Sequence, residues 1–82
     1  MVTVYRAHGL RFVIYLDDHE PAHVHVFGDG EIKAHIIGTK GLPEAVYVHG
    51  MKLSDRRKAM DVLRDRQDWF LAEWNRLQGG EQ

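Results

Sequence analysis

The chain has 82 residues, of which 11 are basic, 12 acidic and six histidine, and it has no cysteine. That length holds one domain, and a chain so short buries only about 60% of its unfolded surface. The missing cysteines exclude disulfides and thiolate metal sites, and a formal charge of −1 disfavours non-specific nucleic-acid binding, which needs a surplus of Lys and Arg.

Val2-Thr3-Val4-Tyr5 is a β-branched and aromatic run that reads as a first strand, ended by His8-Gly9. Leu10 to Leu16 alternate, with Leu10, Phe12, Ile14 and Leu16 on one face and Arg11, Val13 and Tyr15 on the other. Asp17 to Pro21 has the composition of a turn. Ala22 to Phe27 is again a strand, with Val24 and Val26 facing one way and His23 and His25 the other. Gly28-Asp29-Gly30 turns the chain back, and Glu31 to Ile37 returns with Ile32, Ala34 and Ile36 on its apolar face.

The register of this hairpin follows from its patterning. A slip of one residue would put every apolar side chain in water, so the two apolar faces must coincide. A three-residue loop then pairs Phe27 with Glu31, Val26 with Ile32, His25 with Lys33, Val24 with Ala34 and His23 with His35. After a loop through Gly38 to Pro43, Ala45 to Val48 gives a further strand, closed by His49-Gly50.

From Ser54 the period changes. Ser54 is a suitable N-cap, and Ala59, Met60, Leu63, Phe70, Leu71, Trp74 and Leu77 recur at helical spacing up to Gly79-Gly80. One helix over 54–78 is expected. At about 36 Å for residues 55–78 it would overhang a strand of about 23 Å, which leaves a homodimer through the helix as an alternative to a loop covering Trp69. The expected fold class is therefore α+β: a single domain over 1–82, with a curved antiparallel sheet of four or five strands within 2–48 packed on one long C-terminal helix. The apolar sheet face would meet the helix stripe, and the His face would point away from it. No apolar run approaches the roughly 18 residues of a membrane span, and no leader pattern opens the chain, so the expectation is a cytoplasmic protein.

Asp17 to Val26 is the stretch on which chemistry converges. On a strand, His23 and His25 share a face with Cα atoms about 7 Å apart, within reach of one ion, and the register adds His35. A metal on His23, His25 and His35, completed by carboxylate or water, would be a divalent transition ion such as zinc. With an open coordination position the same cluster would serve a hydrolase or nuclease, with Asp18 or Glu20 as base. His23, His25 and Glu20 are the catalytic candidates in that reading. A metal-free His pair with Lys33 and Tyr15 would suit RNA cleavage. The competing reading is a polar face of His19, His23, His25, Lys33 and His35 that binds a ligand or partner without metal, and Lys33 opposite His25 argues for it.

The run His19-Glu20-Pro21-Ala22-His23-Val24-His25-Val26 resembles the signature of a family of small bacterial proteins catalogued as domain of unknown function 4160. Val2-Thr3-Val4, Gly9, Phe12, Tyr15 and Trp74-Asn75 extend the likeness. His19, Pro21, His23 and His25 are the motif positions carried over, whereas His35-Ile36-Ile37-Gly38 replaces a Trp-Leu-Asp-Pro-like stretch, so His35 is not a shared position. The resemblance implies a small α+β domain encoded beside another small protein, similar to a toxin–antitoxin pair, and therefore a partner made by a neighbouring gene. The first functional expectation is a toxin–antitoxin-like interaction module with a His-rich binding face. The alternative is the metal-dependent hydrolase or nuclease on that face.

Overall fold

Five runs of alternating residues build one antiparallel sheet in the computed structural model, which describes residues 1–78. The strands are β1 (Val2–Ala7), β2 (Leu10–Ile14), β3 (His23–Phe27), β4 (Glu31–His35) and β5 (Glu44–His49), and they lie in the order of the sequence. Each connection is thus local, and β1 and β5 form the two edges. The β3–β4 hairpin adopts the register that its patterning requires, from Phe27 opposite Glu31 to His23 opposite His35. The loop closes through a bond from the Gly28 N–H to the Gly30 carbonyl. A β-carbon at Gly30 would collide with the backbone of His49, Gly50 and Met51, so the absence of a side chain there lets the β5–helix connection pass.

Leu10, Phe12, Ile14, Val24, Val26, Ile32, Ala34 and Ile36 form the buried face of the sheet, against Ala59, Leu63, Phe70 and Trp74 from the helices. Full burial of a Phe such as Phe12 or Phe70 stabilises by about 1.5–3 kcal/mol. Tyr5, Phe12 and Phe70 meet at ring-centroid distances of 5.6–6.0 Å. Both edge strands carry an irregularity: the β1 register skips Val4 and the β5 register skips Val46. Such bulges blunt a sheet edge against unwanted pairing.

The C-terminal region is two helices rather than one. α1 spans Leu53–Asp65 and α2 Gln67–Leu77, with Arg66 between them at φ −120° and ψ 28°. The reason lies in what α2 reaches. At its first residue the Gln67 amide donates to the carbonyls of Ile36 and Gly41, in the β4–β5 loop. Just past its last turn Gln78 bonds to Tyr15 and Asp18, in the β2–β3 loop. Both loops lie at the same end of the sheet, so α2 spans that end. The Arg66 guanidinium lies 4.8 Å from the Tyr5 ring centroid, where a cation–π contact holds the break. The start also differs from expectation. Lys52 occupies the N-cap in extended geometry and α1 begins at Leu53, because the chain enters the helix directly after burying Met51. Ser54 therefore lies within the first turn. The expected stop at Gly79-Gly80 lies outside the described residues. No helix among the described residues is long and apolar enough to cross a membrane.

Candidate functional site

Strand alternation sends His23 and His25 away from the apolar core, but it does not leave them in open solvent. His23 is the first residue of β3, at the end of the sheet that α2 crosses, and its ring packs 4.9 Å from Trp74, leaving it 5% exposed. The expectation that the His face points away from the helix fails at this residue, because the break at Arg66 carries α2 around the sheet end. His25, two residues on, meets Tyr15 edge-on at 4.7 Å and His23 at 5.5 Å, with Val13 fully buried beside it in register.

Each imidazole is oriented by an acceptor on its Nδ1. Nδ1 of His23 lies 2.9 Å from the Pro21 carbonyl, which can only accept, so that nitrogen carries a hydrogen. Nδ1 of His25 lies 3.1 Å from Oε2 of Glu31, and the same oxygen accepts the Tyr47 hydroxyl at 2.8 Å. Register explains the meeting of the three side chains: Lys33 stands opposite both His25 and Tyr47, and Glu31 is its neighbour on the same face of β4. The Tyr47 hydroxyl and the His25 ring hold the Glu31 carboxyl below its ordinary 4.5. Burial, followed by the bond to Glu31 and its charge, raises the Tyr47 phenol above its ordinary 10.0.

The turn between β2 and β3 supplies the third group. Asp17 sits at φ 57°, a left-handed conformation that Asp tolerates better than most side chains. The Glu20–Pro21 peptide bond is cis. The Gln78 amide grips the turn on both sides, accepting from the Asp18 N–H and donating to the Tyr15 carbonyl, each at 2.8 Å. Asp18 then folds inward. Its Oδ1 accepts the His19 N–H at 3.0 Å and its Oδ2 lies 2.7 Å from Nε2 of His23. Burial pushes the Asp18 carboxyl up, but the His19 N–H, the His23 bond and the charges of both imidazoles together bring it below its ordinary 3.8.

One donor atom from each of Asp18, His23 and His25 lies within 4.8 Å of the others, so the three form the candidate ligand set. His35 pairs with His23 in register but is not in this group. His19 contributes its backbone N–H, and Glu20 turns to the Trp74 indole, Nε1 to Oε2 at 3.4 Å. Lys33 is half-buried beside His25 and forms no ion pair among the described residues. Glu31, Tyr47 and Gln78 are site residues that the sequence reading missed. For Glu31 the signal was present, since the hairpin register sets it diagonally from His25.

A family model described as Domain of unknown function (DUF4160) matches residues 9–75. The chain belongs to this family. The DUF4160 match takes in Asp18, His23, His25, Glu31, Tyr47 and Trp74, so the whole cluster apart from the Gln78 clamp falls within it. No curated protein and no solved structure matches the chain.

Proposed function

We propose that this chain is a cytoplasmic bacterial interaction module of the toxin–antitoxin kind, and that it binds its partner through the β4–β5 loop rather than through its histidine side chains. The observation that carries the reading is where the exposed apolar side chains fall. Of seven large exposed hydrophobic residues among those described, three (Ile37, Leu42 and Val46) lie within ten residues of one another in sequence, each about half exposed. They belong to one loop and to the bulge of the strand that follows it, and Leu42 also lines a groove of about 340 Å³ together with Thr39, Lys40, Pro43 and Glu44. Exposed apolar side chains gathered on one segment are what a protein-binding surface would use.

The loop is also held by several hydrogen bonds, and a pre-ordered loop lowers the entropy cost of docking. Gln67 holds it from α2, the Gly38 N–H donates to Leu42, and the Thr39 N–H donates to Glu44. At the opposite edge, Tyr5 on β1 packs against Trp69 and Arg66 of the same chain. Two of the motif histidines support the same assignment: His23 is buried, and the 13% exposure of the His25 side chain leaves little of it for a partner to touch, although His19 is exposed. The test is co-expression with the small protein of the adjacent gene. Leu42→Asp and Val46→Lys are expected to abolish co-purification while the domain stays folded, and His25→Ala is expected to leave it intact. Partner binding that survives both loop substitutions would sink the proposal.

A further inference from the structure

We infer that Asp18, His23 and His25 form a binding site for one divalent first-row transition-metal ion, with open positions for water or a ligand. Two imidazoles and one carboxylate are the donor set for zinc and for ferrous iron, and they disfavour calcium and magnesium, which take all-oxygen sites. The position of the donors is more telling than their number. An acceptor on one ring nitrogen fixes the tautomer and leaves the other nitrogen as the one that can ligate. Here the Pro21 carbonyl already fills that role on His23, and Asp18 sits at Nε2 instead, on the side shared with His25.

His25 repeats the pattern, with Glu31 on Nδ1 and Tyr47 behind Glu31. Metal-ligating histidines nearly always donate the second ring N–H to a carbonyl or carboxylate in this way, which fixes the ring and raises its basicity. Nδ1 is thus engaged on both rings, and Nε2 of His23 becomes a ligand atom once the hydrogen it shares with Asp18 is displaced. Asp18 presents Oδ2 on this side, while its Oδ1 accepts the His19 N–H.

The geometry is close to what an ion needs. Donors about 2.0–2.1 Å from a tetrahedral ion stand about 3.3 Å apart. Asp18 and His23 are at 2.7 Å, and every separation in the set is at most 4.8 Å, so small side-chain shifts would bring all three donors onto one ion. The site is also sheltered, with side-chain exposures of 6%, 13% and 28% for His23, His25 and Asp18. Lys33 opposite His25 opposes a cation, but two carboxylates, Asp18 and Glu31, lie directly on the imidazoles and offset it.

The experiment uses the full chain without a histidine tag, stripped with chelator and titrated with Co²⁺ and Zn²⁺ by absorption spectroscopy and calorimetry. One equivalent is expected, with a visible Co²⁺ spectrum typical of nitrogen and oxygen donors. His25→Ala and Asp18→Asn are expected to weaken binding more than tenfold, Glu31→Gln by about 10–100-fold, and His35→Ala by less than twofold. Circular dichroism of each variant separates a lost ligand from a lost fold. No stoichiometric binding by the folded wild-type chain overturns the inference, as does equal binding by the His25→Ala and Asp18→Asn variants. Because the partner surface lies on the β4–β5 loop, partner binding and metal binding can each fail without the other.

Discussion

Oδ2 of Asp18 lies 2.7 Å from Nε2 of His23, and this contact ties the β2–β3 turn to the first residue of β3. Among the described residues no buried side-chain nitrogen or oxygen lacks a partner, so the contact also completes the hydrogen bonding of an almost fully buried ring. Asp18→Ala leaves Nε2 buried and unpaired, at a cost of about 1–3 kcal/mol. Urea denaturation of the metal-free protein should show that loss, with a smaller one for Asp18→Asn, which keeps a hydrogen-bonding group in place.

Acid should weaken the fold through two carboxylates. Asp18 and Glu31 both have folded-state values below their ordinary 3.8 and 4.5. The stability they supply is therefore complete above those ordinary values and is lost as pH falls through the lower folded ones. Urea midpoints measured from about pH 6 down to about pH 2 should decline over that window. The decline should be shallower in Glu31→Gln. Tyr47 has the opposite sign: its value is raised, so its contribution is complete below 10.0 and is lost as pH rises beyond it.

Gln67 and Gln78 are a matched pair, each making two hydrogen bonds from one end of α2 to a loop. Either change to Ala should cost about 1–3 kcal/mol, from two bonds of about 0.5–1.5 kcal/mol each. The two variants separate in hydrogen exchange. The Asp18 amide should exchange faster in Gln78→Ala and stay protected in Gln67→Ala, since only Gln78 accepts from it.

Two glycines of the same hairpin loop should differ. Gly30→Ala places a methyl group against the backbone of His49, Gly50 and Met51, which cannot move aside, and overpacking of this kind costs about 1–3 kcal/mol or more. Gly28→Ala meets the end of the Leu10 side chain at 2.7 Å, which can rotate. Thermal melts should show the larger loss for Gly30→Ala.

The hairpin was legible because both of its strands alternate, and one apolar face admits one register, so the pairing of His25 with Lys33 and His23 with His35 could be read from residue types alone. The helix stripe was legible for the same reason, as Ala59, Leu63, Phe70 and Trp74 are its buried members. The break at Arg66 was not, because no Pro or Gly marks it and its cause is tertiary: loop carbonyls for Gln67 and the Tyr5 ring for Arg66. The candidate site divides along the same line. His23 and His25 came from strand alternation, whereas the choice of Asp18 over His19 and Glu20 depends on backbone angles in a turn. Tyr47 reaches Glu31 only because the bulge at Val46 shifts the β5 register, which no periodicity in that short strand reveals.

The packing of Trp74 against His23 makes the site its own optical probe. An indole 4.9 Å from the imidazole is placed to report a cation bound at that ring through a change in its emission. The other tryptophan, Trp69, packs on Tyr5 and is 39% exposed, so its signal would overlay the first. Replacing it with Phe leaves one fluorophore, and events at the buried end of β3 can then be followed in unlabelled protein, in real time, from the light of a single side chain.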